Sequence, residues 1–362
     1  MRNHNSKARI LFFLLLGMLS TLFSCDGVIF STIRDEVRLS NAKIGGIVQN
    51  IVRFKYKGEE HIFITNGKIY HRSVEEDVVN SKIPWTPFPA PAGYIYSLAA
   101  DDGYLYALGV IIDEDDDGYN VPTSRVIYCL DSESGSWKQI GALAYNSPNT
   151  SIICTNSLNN RKAYFIYGKK IYELSGEVID LESWRYAPSG FTSELRPKED
   201  FENEGESASS IESCASLRGT TYFSAGRGMT SNADDSCIYY ASGGTVSYYA
   251  GEETKGSVSV SGDNILSLGV TSDYLLVGTD EGIQHTPLNE IVPSGGTADF
   301  PTNADSTLSS YYEVPVILVV DPSKPEYEGT IYASSVTSSS SASKKNMGLW
   351  SYYASTREWN RE

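Results

Sequence analysis

Val126-Ile127-Tyr128-Cys129-Leu130-Asp131-Ser132-Glu133-Ser134-Gly135-Ser136-Trp137 is the stretch on which the fold turns. It begins with β-branched, aromatic and aliphatic residues, passes through an acidic, serine-rich run with one glycine, and resumes at a tryptophan. Residues of the first kind fit a pleated, half-buried surface, and the polar run supplies turn chemistry. The segment therefore reads as strand, hairpin, strand.

The same unit recurs along the chain. Second strands of the unit are expected at His61–Ile64, Tyr104–Leu108, Ala163–Tyr167, Thr221–Ser224, Tyr274–Val277 and Gly329–Ala333. Third strands follow at Lys68–His71, Val126–Leu130, Lys170–Leu174, Cys237–Tyr240, Gly282–His285 and Leu349–Tyr353. In five units an aromatic then opens a fourth strand: Trp85, Trp137, Trp184, Tyr248 and Trp359. The fifth unit has none in place. A period of this size marks a repeat architecture, and no segment offers a long amphipathic helix.

One such sheet buries little, but sheets set radially around an axis cover each other's apolar faces. The expected fold is all-β: a β-propeller over residues 41–362 with six blades of four strands. A seventh, split blade arises if Val28 to Leu39 supplies a ring-closing strand; otherwise residues 25–40 are a spacer. The stretch from Val126 to Trp137 resembles a kelch-type third strand, hairpin and fourth strand, and Leu349 to Trp359 echoes it. The diglycine of kelch second strands is absent from all six units, so the resemblance is to propellers at large and distantly to kelch. The recurring Trp and Tyr residues read as blade-packing aromatics.

Upstream, Arg2, Lys7 and Arg9 precede an apolar run from Ile10 to Phe23, too short to span a bilayer and suited to a secretory signal. Leu22-Phe23-Ser24-Cys25 follows, which resembles the lipobox of bacterial lipoproteins. That resemblance implies removal of residues 1–24 as a signal peptide. It also implies a diacylglycerol thioether on Cys25, acylation of the new amino group by chains such as palmitate, and anchorage of a soluble domain in the bacterial cell envelope, periplasmic or surface-exposed. Two or three acyl chains hold a protein to a membrane essentially permanently.

The chain has 45 acidic against 29 basic residues, a formal charge of -16. Removal of residues 1–24 takes three basic residues and no acids, making the balance -19. Nucleic acid is therefore excluded as a partner, and so is an anionic lipid surface; the membrane contact would run through the lipid on Cys25 alone.

The sharpest local motif is Asp113-Glu114-Asp115-Asp116-Asp117-Gly118, which matches the start of a calcium loop. Its ligands would be Asp113, Asp115, Asp117 and the Tyr119 carbonyl. The acid that would complete the cage is replaced by Ser124, so the other reading is a solvated acidic hairpin tip. Ca²⁺ is the one candidate cofactor. Cys129, Cys154, Cys214 and Cys237 fall in predicted strands and read as packed thiols, with one bridge left open. The mature chain holds only His61, His71 and His285, with no nucleophile elbow, so no catalytic residue is assigned. A sialidase-like site would need an arginine cluster and Asp boxes, of which Asp131 to Trp137 is a degraded version.

These readings lead to a non-catalytic binding or scaffold module for a protein or an envelope glycan. The contact regions would be the acidic stretch 192–210 and the loop Asp113–Asp117. The alternatives are saccharide or small-ligand binding in the channel, with Tyr106, Tyr128 and Tyr240 as stacking faces, and a glycan-cleaving enzyme.

Overall fold

The computed structural model describes residues 44–362 apart from 75–83, 146–149, 155–160, 168–169, 180–184, 187–195, 198–228, 232–236, 243–244, 251–252, 260–264, 289–311, 326–327, 338–346 and 354–357. A compact unit runs from Lys43 to Asn360 and includes Glu362. The described residues form six sheets, and in each the strand order follows the chain.

Sheet 1 contains β1 (Asn50–Tyr56), β2 (Glu59–Thr65), β3 (Ile69–Ser73) and β4 (Thr86–Phe88). Sheet 2 contains β5 (Tyr94–Ala100), β6 (Tyr104–Glu114), β7 (Asn120–Asp131) and β8 (Trp137–Ala144). Sheet 3 has five strands: β9 (Thr150–Cys154), β10 (Ala163–Tyr167), β11 (Lys170–Leu174), β12 (Arg185–Tyr186) and β13 (Arg196–Pro197). Sheet 4 contains β14 (Met229–Ser231), β15 (Cys237–Ser242), β16 (Thr245–Ala250) and β17 (Glu253–Ser259). Sheet 5 is described with β18 (Ile265–Val270), β19 (Tyr274–Thr279) and β20 (Gly282–Pro287). Sheet 6 contains β21 (Glu313–Val319), β22 (Ile331–Val336), β23 (Gly348–Tyr353) and β24 (Glu358–Arg361).

First strands touch first strands: β1 meets β5, β5 meets β9, β14 meets β18, β18 meets β21, and β21 returns to β1. Short antiparallel meanders joined through their first strands, with the last sheet returning to the first, make a β-propeller. Apolar faces pair across the junctions. Phe54 and Phe63 of sheet 1 pack with Leu98, Leu105 and Leu130 of sheet 2. Tyr106 and Ile127 meet Ile152 and Phe165 of sheet 3. Ile51 and Ile62 meet Val316 and Leu318 of sheet 6. No sheet could bury these faces alone, and at about 25 cal/mol per Å² of apolar surface their mutual coverage drives assembly.

Buried polar side chains on the strands stitch the same junctions. Thr65 Oγ1 donates to Ile95 O at 2.5 Å, and Leu98 N donates to Asn50 Oδ1 at 3.1 Å. Ser97, Ser267 and Ser334 hydroxyls donate to Ile152 O (3.3 Å), Val314 O (2.6 Å) and Val48 O (2.6 Å) respectively. Backbone carbonyls in a dry interface need partners, and hydroxyls from the adjacent sheet supply them. Gly278 lies at one such junction, where a Cβ would overlap Ser267 Oγ and the Val314 carbonyl oxygen.

Most expected strands fall in place, and Trp85, Trp137 and Trp359 stand at or beside the starts of fourth strands. Sheet 4 requires a correction. Cys237–Ser242 is its second strand, and Tyr248 lies inside the third strand, β16, beside a register shift. Ser242 pairs with Thr245, and the sequence between them, Gly-Gly, is a two-residue hairpin signal. The predicted strand Thr221–Ser224 lies outside the described residues, as do Trp184, Cys214 and the acidic stretch 192–210 apart from Arg196–Pro197. Cys25, the expected signal peptide over residues 1–24 and Val28 to Leu39 lie outside them too.

Candidate binding face

The junction of sheets 1 and 6 is sealed by a buried polar cluster that sequence reading missed. Arg72 on β3 donates from Nη1 to Glu362 Oε2 at 3.1 Å, and from Nη2 to the Tyr353 hydroxyl at 2.6 Å and to the Tyr332 hydroxyl. Its guanidinium also lies over the Trp85 ring, 4.7 Å from the centroid. Glu362 accepts further from Trp85 Nε1 (3.2 Å), Ser351 Oγ (2.5 Å) and the Tyr353 hydroxyl (2.7 Å). Burial alone would lower the Arg72 pKa, but the oxygens of Tyr332, Glu362 and Tyr353 outweigh it and hold the guanidinium charged. The cluster is filled by its own partners and works as a fastener. Arg72 and Glu362 are far apart in the chain, so only the closed ring makes the motif visible.

Two of the proposed stacking tyrosines, Tyr106 and Tyr128, are not available to a ligand. Tyr106 is fully buried between sheets 2 and 3, with its hydroxyl donating to Asp101 Oδ2 at 2.5 Å. Tyr128 is buried against sheet 1. The alternating pattern puts these rings on sheet faces, where the neighbouring sheet covers them. Tyr240 lies in β15, and its side chain is outside the description. Cys129 is a buried thiol on β7 that donates to Gly176 O at 3.5 Å, with its pKa raised by burial. Cys154 ends β9, half-buried against the same core.

His61 and His71 form a pair, with Nδ1 atoms 3.2 Å apart, so one ring donates to the other. Tyr56, Phe63 and Phe88 surround them. Burial, and then the neighbouring imidazole, push His71 down to about 4; burial also lowers His61 against the opposing pull of Glu59 and Glu60. His285 stacks on Tyr274 at 5.1 Å between centroids.

The two ends of the ring differ. At one end the turns between first and second strands consume their own polar groups. Asp101 Oδ1 accepts from Gly103 N (2.7 Å) and Tyr104 N (2.6 Å), and Thr271 Oγ1 accepts from Tyr274 N at 2.9 Å in the equivalent turn of sheet 5. At the other end, β6 and β7 run past their neighbours. β5 pairs with β6 only as far as Val110, and β8 pairs with β7 only as far as Ser124, while the β6–β7 ladder continues to Glu114 and Asn120. Among the described residues the large apolar side chains that stand exposed are Ile47, Tyr94, Ile112, Tyr119, Tyr145 and Val178. All but Val178 belong to this second end, by their register beside the starts of β1 and β5, the hairpin and the end of β8.

The hairpin tip is also the proposed calcium loop. Asp115 Oδ1 accepts from Asp117 N (3.1 Å) and Tyr119 N (2.8 Å), and Asp115 N donates to the Tyr119 carbonyl at 2.8 Å. Asp113 Oδ2 accepts from Thr123 Oγ1 at 2.6 Å, back along the ribbon. Gly118 takes a φ of 82° to close the turn. Asp113, Asp115, Asp117 and Tyr119 thus share one hairpin. Among the described residues no three His, Cys, Asp or Glu side chains are grouped so as to hold a metal ion.

No family model matches the chain. A stretch of 118 residues is 28% identical to part of an F-box/kelch-repeat protein of Arabidopsis thaliana, covering 32% of this chain and 28% of that protein. Among solved structures, the β-propeller domain of Cps50 (Swd1) of Myceliophteria thermophila aligns over 89% of this chain and 88% of that one, with 11% identity and a TM-score of 0.41.

Proposed function

We propose that this chain is a non-catalytic binding module of a bacterial envelope, tethered by lipid on Cys25, whose hairpin-bearing end holds another protein or an envelope glycan. The observation that carries the binding role is the segregation of exposed apolar side chains, Ile47, Tyr94, Ile112, Tyr119 and Tyr145, to one end of the ring. Apolar surface gathered on one face favours a partner, whereas scattered single residues need no explanation. A rigid ring presents such loops with little further ordering on binding. The tether rests on the lipobox resemblance at Leu22 to Cys25.

A photo-reactive residue at Tyr119 in intact cells tests the binding end, with one at Val178 as the comparison. The expected result is a discrete adduct from Tyr119 that Val178 does not give; equal labelling from both sites would refute the assignment. Cys25→Ala should move the protein into the soluble fraction. Continued detergent-dependent partitioning would remove the acyl tether.

A further inference from the structure

We propose that the open edge of β6 at Ile111–Glu114 accepts an extended, lysine- or arginine-rich segment of a partner protein as an added strand. This deepens the binding role above and rests on it. Beyond Val110 no described strand pairs with β6 on the side that β5 occupies further back. The backbone groups of Ile111–Glu114 on that side therefore form an unextended ladder, a ready template for another chain.

The other edge of the ribbon is guarded. On β7, Thr123 O already accepts from Tyr145 N at 3.3 Å, and Pro122 has no N–H to offer. Side chains then select the occupant. Ile112 is 50% exposed and Tyr119 70%, giving an added strand apolar contacts. Asp113, Glu114, Asp115, Asp116 and Asp117 lie within Val110–Ser124, a stretch with no Lys or Arg. A second copy of this chain would set five carboxylates against five more, so self-pairing is opposed, while alternating basic residues meet opposite charge.

The probe is a ten-residue peptide alternating Lys and Val, added to the full mature chain. Its comparisons are a Glu–Val peptide and a Lys–Val peptide N-methylated at alternate residues, which removes ladder donors. Amide hydrogen exchange at Ile111–Glu114 should slow about fivefold or more with the first peptide alone. Affinity should fall about tenfold between 50 and 500 mM salt. Ile112→Pro should abolish protection, and Ile112→Lys, which leaves the ribbon intact, should weaken binding about tenfold without changing Tm. Equal binding of the N-methylated peptide would reduce the interaction to charge attraction and overturn the proposal. Concentration-dependent dimers lost in Ile112→Pro would overturn it in favour of self-pairing. A Tyr119 adduct in cells without edge protection would sink strand addition and leave the binding role. Edge protection with no Tyr119 adduct would sink the role in the envelope and leave the edge chemistry.

Discussion

The junction of sheets 1 and 6 and the β6–β7 hairpin use the same residue types for opposite ends. Both combine carboxylates with tyrosines. At the junction, Glu362 is fully buried and both side-chain oxygens are engaged, by Arg72, Trp85, Ser351 and Tyr353. At the hairpin, the carboxylates and Tyr119 stand in water, with Asp115 accepting from backbone amides of its own turn. Residue identity does not separate a fastener from a contact surface; the number of partners and the access of solvent do.

The largest effect is expected at the junction. Glu362→Ala leaves the Arg72 charge buried without its carboxylate and should cost about 3–5 kcal/mol, read as a fall in the urea midpoint. Adding Arg72→Met to that variant should restore part of the loss, because the stranded charge is gone. If each change alone costs less than about 1 kcal/mol, the contrast between the two regions collapses. Gly278→Ala comes next, at about 1–3 kcal/mol, because the new methyl would press on the Val314 carbonyl.

The His61–His71 pair should give a smaller, pH-dependent effect. His71 is lowered from an ordinary 6.5 to about 4, so between those values the unfolded chain takes up a proton that the folded one refuses. Stability should therefore drop as pH falls from about 6.5 toward 4. The loss should be about 1–2 kcal/mol, discounted because the ring is half-buried and solvent screens it. Thermal melts of His71→Gln should lack this part of the slope. A slope identical to that of the unaltered protein would mean the pair titrates no differently once folded.

At the hairpin, Ile112→Ala and Asp115→Asn should each change global stability by no more than about 0.5 kcal/mol, since neither side chain supports the core. A larger loss would make the ribbon part of the scaffold and blur the comparison. Smallest of all is the response to Ca²⁺. Asp115 already accepts from two backbone amides, so millimolar Ca²⁺ should leave proteolysis at the tip unchanged; protection there would restore the calcium loop.

Strand identity was legible wherever alternation and turn chemistry agreed, as at Val126 to Trp137, because both are local. Sheet 4 was misaligned because a Tyr-rich run, Tyr239 to Tyr249, satisfies a strand pattern in more than one register, and the Gly-Gly dipeptide between Ser242 and Thr245 in the sequence was the better guide. Tyr106 and Tyr128 were misplaced for a different reason. Alternation assigns a residue to a face of its own sheet, but the neighbouring sheet decides whether that face is wet. The fastener was illegible for the same reason in stronger form, since Arg72, Tyr332, Tyr353 and Glu362 become neighbours only when the ring is shut.

Arg72 and Glu362 stand 290 positions apart. A bond across that separation carries a heavy loop-closure cost until the intervening sheets have formed, and contacts this remote in sequence slow the search for the native state. The ring should therefore remain an open arc while the chain is still being delivered, its two terminal sheets each showing an unpaired oily side. Shutting that arc is the step at which such a chain is most exposed to capture by chaperones or by other unfinished copies of itself.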